Sequence, residues 1–466
     1  KVGILRKLNR TEEALVLCSE SLDADPFNFG ILFEKYLLRN KNSGDLSVLK
    51  HLIRGNIHTY TEFALDYAWA GFFTEACELI TLGIAEQQVN DVYPLAWYFK
   101  AWFEHQSGNV IQASQSLEMA ACAGPHYCFP NQPEAVVALE WALNENKTDY
   151  RACYYLGNLW YHAKNYEEAI TCWERSVAIN DGFPTPHRNL ALAYFNKRND
   201  ADRALAELEK AFESDPTDSR ILMELDQLYK RLNRSPESRL NLLQKYPSLV
   251  EDRDDLYLES AALYNLLGES EKAYNLIMSR KFHPWEGGEG KVTGLYVHIL
   301  ITLAEKAIGK QKFENAVGFL LKARHYPVNL GEGKLYGALE NELLYWLGIS
   351  YEGLGLTEKA VSCWKEASEG TNEISRAMFY NDQKPETVFY QGLSLRKLEM
   401  EDKAVSRFNM LISYGREHMD DTVKIDYFAV SLPDMLIWED DLNARNRQMC
   451  QNLIDLGNEG LQKRTG

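Results

Sequence analysis

Apolar residues recur along this chain at helical spacing. Tyr155 and Leu156 stand five and four residues before Trp160 on one stretch, and Ala169, Trp173 and Ser176 stand four and three apart on the next. Steps of three and four place such residues on one face of a helix, so Tyr150 to about residue 180 reads as two amphipathic helices in succession. The break between them falls at Lys164-Asn165. Similar breaks stand at Arg198-Asn199, Asn233-Arg234, Leu267-Gly268 and Leu354-Gly355, where a first helix ends and a second begins. Pro26, Pro216 and Pro247 stand between pairs, where helices stop.

The same offsets return. Leu190, Ala191 and Tyr194 come next, and after one inserted residue near Asp200 come Ala204, Leu208 and Ala211, then, more faintly, Leu225, Tyr229, Ser238 and Leu242. Farther on stand Ala261, Tyr264 and Ala273, then Leu303, Ala304, Ala316 and Leu320. Leu347, Gly348, Tyr351, Ala360 and Trp364 follow, and finally Gly392, Leu395, Ala404 and Phe408. Small residues at the positions of Gly157, Ala169 and Ser176 let two antiparallel helices approach closely, and Trp160 and Trp173 are expected to fill the space between pairs. A single pair cannot bury such a face, so neighbours must stack.

The period of about 34 residues and its residue choices resemble the tetratricopeptide repeat. The fold that resemblance implies is all-α: an α-α superhelix, a solenoid of stacked antiparallel helix pairs. Residues 1–149 read as degenerate repeats, with Ala14, Ala64, Tyr67, Ala76, Ala101 and Ala113 keeping the spacing. Residues 150–280 read as regular repeats, 281–296 as a glycine-rich irregular loop, and 297–466 as further repeats and C-terminal helices. The aromatic cluster Trp97, Tyr98, Trp102 and Phe103 reads as core. Counting back from Ala14 places Lys1 inside a first helix, so the chain is expected to be a fragment of a longer protein.

Composition narrows the function classes. Lys and Arg number 50 against 67 Asp and Glu, a formal charge of -17, which repels phosphate backbones and anionic headgroups. Nucleic acid and membrane are therefore not expected partners. No stretch approaches the ~18 consecutive apolar residues of a spanning helix, and the start lacks the pattern of a cleaved leader. The eight cysteines form no Cys-x-x-Cys pair and read as reduced core thiols, which points to the cytoplasm and to no metal or other cofactor.

One stretch breaks the period. Lys281 to Lys291 replaces a short turn with a glycine-rich loop holding His283, Trp285, Glu286 and Glu289. A P-loop fails here, because Val292 follows Gly290-Lys291 where a hydroxyl is needed and Trp285 stands where a glycine is. The dinucleotide fingerprint fails as well, with Thr293 at its third glycine. A sugar site would pair Glu286 with Glu289 across about 5 to 9.5 Å and stack a ring on Trp285. The structural alternative is a loop that plugs the superhelix. Gly331-Glu332-Gly333-Lys334 repeats the motif, so the two loops are candidates for one joint polar pocket.

The first helix of each pair lines the inner groove, and its inward positions hold Tyr154 and Asn158, then Arg188 and Asn189, then Arg220. Asparagine amides can grip a peptide backbone, and an arginine fork can grip a carboxylate. Asn158, Asn189 and Arg220 resemble part of the carboxylate clamp of tetratricopeptide co-chaperones. Tyr154 and Glu224 depart from it, standing where that pattern wants basic residues.

The strings Tyr154 to Leu159, His187 to Leu190, Glu224 to Leu232, Phe282 to Gly290 and Asp426 to Asp434 go beyond the generic repeat. Over residues 129 to 450 they resemble the C-terminal half of large bacterial proteins, a domain of unknown function, whose N-terminal part is similar to galactose-mutarotase-like domains. That kinship implies a carbohydrate-handling domain upstream, which the loop at His283 would face. The function expected is thus a scaffold for protein-protein or interdomain interaction, without a catalytic site of its own. Its partner is a peptide segment, a protein or the upstream domain of the same chain. The rival is the accessory half of a carbohydrate-active enzyme.

Overall fold

The computed structural model describes residues 1–88, 91–285, 288–370, 374, 383–424, 437–439 and 441–462. Among the described residues there are 25 α-helices, one 3-10 turn and no strand. The all-helical fold expected from the period is therefore present. The chain divides into two compact units, Lys1–Ala193 and Tyr194–Gly466.

Local chemistry explains where each pair turns. The N–H of Lys164, at φ 64°, donates to the carbonyl of Tyr161, and the N–H of Asn165 donates to that of Trp160. These two bonds satisfy carbonyls that the helix end leaves open, and they require one left-handed residue. The same two bonds close the turns at Gly71, Gly108, Asn233, Gly268, Gln311, Gly355 and Glu399. The inserted residue near Asp200 has a visible consequence: Asn199 is left-handed, and the N–H of Asp200 reaches back to Tyr194, one residue farther than in the other turns. Carboxamide and carboxylate caps start several helices, Asn56 on His58 and Thr59, Asp149 on Ala152, and Asp218 on Arg220 and Ile221.

In the first unit, Ile57–Trp69 packs on Phe73–Ala85, Pro94–Gln106 on Val110–Cys122, and Tyr150–His162 on Tyr166–Ile179. Pro133–Glu145 has no such partner; it lies against Pro94–Gln106 and Tyr150–His162 and interrupts the pairwise order. Trp173 does not fill the gap between pairs, as the spacing suggested. Its indole lies inside its own pair against Gly157, where a β-carbon would stand 2.5 Å from the ring. Of the aromatic cluster, Tyr98 and Phe103 are fully buried, whereas Trp97 and Trp102 are only half-buried.

In the second unit, Asp254–Leu266 pairs with Ser270–Ser279, Lys291–Gly309 with Phe313–Ala323, Asn341–Gly353 with Thr357–Ala367, and Thr387–Lys397 with Glu401–His418. Gly348 under Trp364 and Gly392 under Phe408 repeat the contact of Gly157 with Trp173 at the same sixteen-residue offset. Leu442–Gln462 then covers the last pair, and Gly415, Gly457 and Gly460 bring it so close that a β-carbon at Gly460 would meet the Phe408 ring at 2.2 Å. The buried Arg396 donates to the Gly460 carbonyl at 2.6 Å and ties this helix down.

Two boundaries differ from expectation. Lys291–Gly309 begins five residues before the expected end of the irregular loop, because Gly290 at φ 73° ends that loop and Glu332 caps the helix behind it. Pro247 opens the short helix Pro247–Asp252 instead of merely separating pairs. Proline suits the first helical position, where no N–H is needed. Lys291–Gly309 is also apolar and long enough to cross a membrane, yet half of it is buried in the unit, through Tyr296, Ile299, Leu300, Leu303 and Ala304.

Candidate functional site

In the first unit the asparagines proposed to grip a partner grip the protein itself. Asn158 Oδ1 accepts from the Trp173 indole at 3.1 Å and from the Asn189 amide at 3.1 Å. Tyr154 is buried, its ring edge-on to Phe183 at 5.0 Å, and burial pushes its phenol up from the usual range. Arg188 is half-buried on the helix that carries Asn189. These residues thus form a polar seam across neighbouring first helices, with the groove asparagines already engaged.

In the second unit Arg220 is exposed, and its guanidinium meets the buried Glu224 carboxylate at 3.0 Å, one helical turn on. Glu224 occupies a place where the carboxylate clamp wants a basic residue, and it supplies Arg220 with an internal carboxylate instead. A second ion pair sits deeper. Arg239 holds Asp226 at 3.0 and 2.7 Å and Glu259 at 2.7 Å. Burial pushes Asp226 up despite the guanidinium; Glu259, though penalised by burial too, is drawn below its usual range by Lys230 and Arg239.

The same first-helix side of this unit holds a short bent segment of the chain, residues 437–439. Asn196 donates its amide to the carbonyl of Ile437 at 2.8 Å and accepts the N–H of Glu439 at 2.8 Å. Trp438, between them, is fully buried; its indole N–H donates to the Glu224 carbonyl at 3.2 Å and its ring stands edge-on to Phe195 at 5.2 Å. Lys197 pairs with the Glu439 carboxylate, and Arg231 reaches the Trp438 carbonyl at 3.4 Å. The sequence reading missed Asn196 and Trp438. One signal was available: Asn196 lies seven residues after Asn189, two turns on along the same helix face.

The two glycine-rich loops do meet. Phe282 N–H donates to Asn329 O at 2.8 Å, and Gly290 N–H donates to both oxygens of Glu332 at 3.0 Å. A cavity of about 690 Å³ lies beside them, lined by Glu332, Tyr326, Tyr336, Lys384 and Tyr390 among others. His283, Trp285 and Glu289 do not line it. His283 is exposed and held through its backbone by Asp254 at 2.9 Å, and Trp285 folds back over Gly288. Glu286 lies outside the described residues, as does the Asp426 to Asp434 string. Among the described residues no cluster of three metal-binding side chains occurs. In the first unit a separate apolar cleft of about 320 Å³ opens between Leu65, Trp69, Trp102 and Val137, with Trp69 largely exposed and bonded to Glu134 at 2.7 Å.

Solved structures similar to this chain include YrrB, described as a tetratricopeptide protein with an unusual peptide-binding site, at 15% identity over 49% of this chain and 90% of that one, with a TM-score of 0.28. A tetratricopeptide repeat protein from Parabacteroides merdae matches at 16% identity over 63% of this chain and 98% of that one, TM-score 0.26. The tetratricopeptide domain of P58(IPK) matches at 12% identity over 99% of this chain and 98% of that one, TM-score 0.27. Residues 150–183 match the family model described as Tetratricopeptide repeat, so this chain carries that repeat over the pair Tyr150–His162 and Tyr166–Ile179.

Proposed function

We propose that this protein is an interaction scaffold whose first-helix faces hold short segments of polypeptide. The observation that supports this most directly is the grip of Asn196 on both sides of residue 438. A carboxamide that donates to one main-chain carbonyl and accepts from the N–H two residues on recognises main chain and leaves the side chain between free to be read. The ligand is a protein or peptide, and a segment from another domain of the same polypeptide meets the same chemistry. The bacterial origin, the larger parent protein and its mutarotase-like neighbour rest on the resemblance alone, and the cytoplasmic placement on cysteine usage alone.

The test is a display library of random peptides selected against the full chain and against Asn196→Ala. The scaffold reading expects binders whose affinity falls at least tenfold in the variant. A library that yields no binder to either protein, or binders indifferent to Asn196, would sink it.

A further inference from the structure

The groove of the second unit is filled by three residues of its own chain, and each part of the grip has a distinct target. Asn196 reads main chain on both sides of the bend at Trp438. The pocket formed by Phe195 and the Glu224 carbonyl reads a large aromatic that carries a donor, which among the side chains fits tryptophan. Lys197 reads a carboxylate one residue later, at a solvent-exposed edge. Backbone grip, aromatic anchor and rim charge are the parts of a peptide-binding site.

We infer that this groove is a docking site for peptides bearing an apolar residue, tryptophan and an acidic residue in succession, and that Ile437–Glu439 is an exchangeable internal occupant. The inference rests on the scaffold reading and adds to it the ligand chemistry and the means of control. A tethered occupant acts at an effective concentration of about millimolar, so it suppresses weak ligands and yields to tight or abundant ones. Glu439 favours exchange, because its ion pair with Lys197 is more than half exposed on the glutamate side and weakens with salt. The polar contacts seen here need nothing from the occupant beyond three main-chain groups, an indole N–H and one carboxylate, all of which a peptide in trans supplies.

The experiment uses the full chain and the fluorescein-labelled peptide acetyl-Gly-Ile-Trp-Glu-Gly-amide, read by polarisation. The intact chain is expected to bind it weakly, and Trp438→Ala at least tenfold more tightly, because the site is vacated. Trp438→Ala combined with Asn196→Ala should lose that gain. Should Trp438→Ala lose its helical circular dichroism, Glu439→Lys serves instead: it leaves the buried ring in place, repels Lys197, and should tighten peptide binding about threefold. A folded Trp438→Ala or Glu439→Lys that binds the peptide no better than the intact chain overturns the inference. So does a preference for peptides lacking tryptophan, and that result leaves the scaffold reading standing if those peptides still depend on Asn196. Concentration-dependent dimerisation that Trp438→Ala abolishes would make the occupant a second copy of this chain and overturn the inference as well.

Discussion

The indole of Trp173 lies against the α-carbon of Gly157, so close that a β-carbon there would stand 2.5 Å from ring atoms Cδ1 and Nε1. The ring cannot retreat, since its N–H is also held by Asn158 and by the Tyr154 carbonyl. Gly157→Ala is therefore expected to destabilise the first unit by about 1–3 kcal/mol, the usual cost of overpacking a filled core. Urea unfolding followed by circular dichroism measures it. In the background of Trp173→Leu, which removes the wall, the same substitution should cost much less. Equal costs in both backgrounds would mean that the ring is not what excludes the methyl.

That contact also shows what the sequence could convey. The sixteen-residue offset from glycine to aromatic recurs as Gly348 with Trp364 and Gly392 with Phe408, so the helix pairs and their order were legible from spacing. So were the turns, because Lys164, Asn233 and Gly268 stand where a left-handed residue closes the helix end. Whether a polar side chain is spent internally was not legible. Asn158 and Asn189 have the residue types and register of peptide-gripping groups, and only coordinates reveal that they bond to each other. Asn196 has the same type and register, and it grips main chain 241 residues away in sequence, a distance no local pattern reports.

Asn158 makes the distinction measurable. Asn158→Ala leaves the Trp173 indole with only the longer bond to Tyr154 O and leaves the Asn189 amide without its acceptor, which should cost about 1–2 kcal/mol. Asn189→Ala removes one donor and should cost less. Stability of both variants by thermal or urea unfolding is the readout. If Asn158→Ala is as stable as the intact chain, the seam is incidental and Asn158 returns to the list of partner-binding groups.

Arg239 and Asp226 make a different kind of commitment. Both side chains are about 4% exposed, and the guanidinium also bridges to Glu259 on the next pair, so the cluster fixes how three helices of the second unit meet. Arg239→Ala is expected to cost about 3–5 kcal/mol, since it strands the Asp226 charge in a site where burial already disfavours it. Replacing both, Arg239→Met with Asp226→Leu, should recover most of the loss, because no unpaired charge remains and Glu259 keeps Lys230. Differential scanning calorimetry of the single and double variants decides it. A double variant as unstable as the single one would show that the ion pair itself, not the stranded charge, sets the energy.

The loop at His283 should loosen in acid. Burial pushes the Asp254 carboxyl up, but the His283 N–H at 2.9 Å and the Arg280 guanidinium at 2.5 Å outweigh it and hold the group below the usual carboxylate range. A folded pKa below the unfolded value means that the stabilisation is fully present above about pH 4 and is lost as pH falls through the lower folded value. Exchange of the His283 amide, corrected for its intrinsic rate, should therefore stay slow from neutral pH down to the aspartate range and then accelerate sharply. Asp254→Asn keeps an acceptor oxygen but not the charge, so its loop should exchange faster at neutral pH and show no acid step. An unchanged step in Asp254→Asn would assign the acid response to another group, and the carboxylate would then not be what fastens this loop.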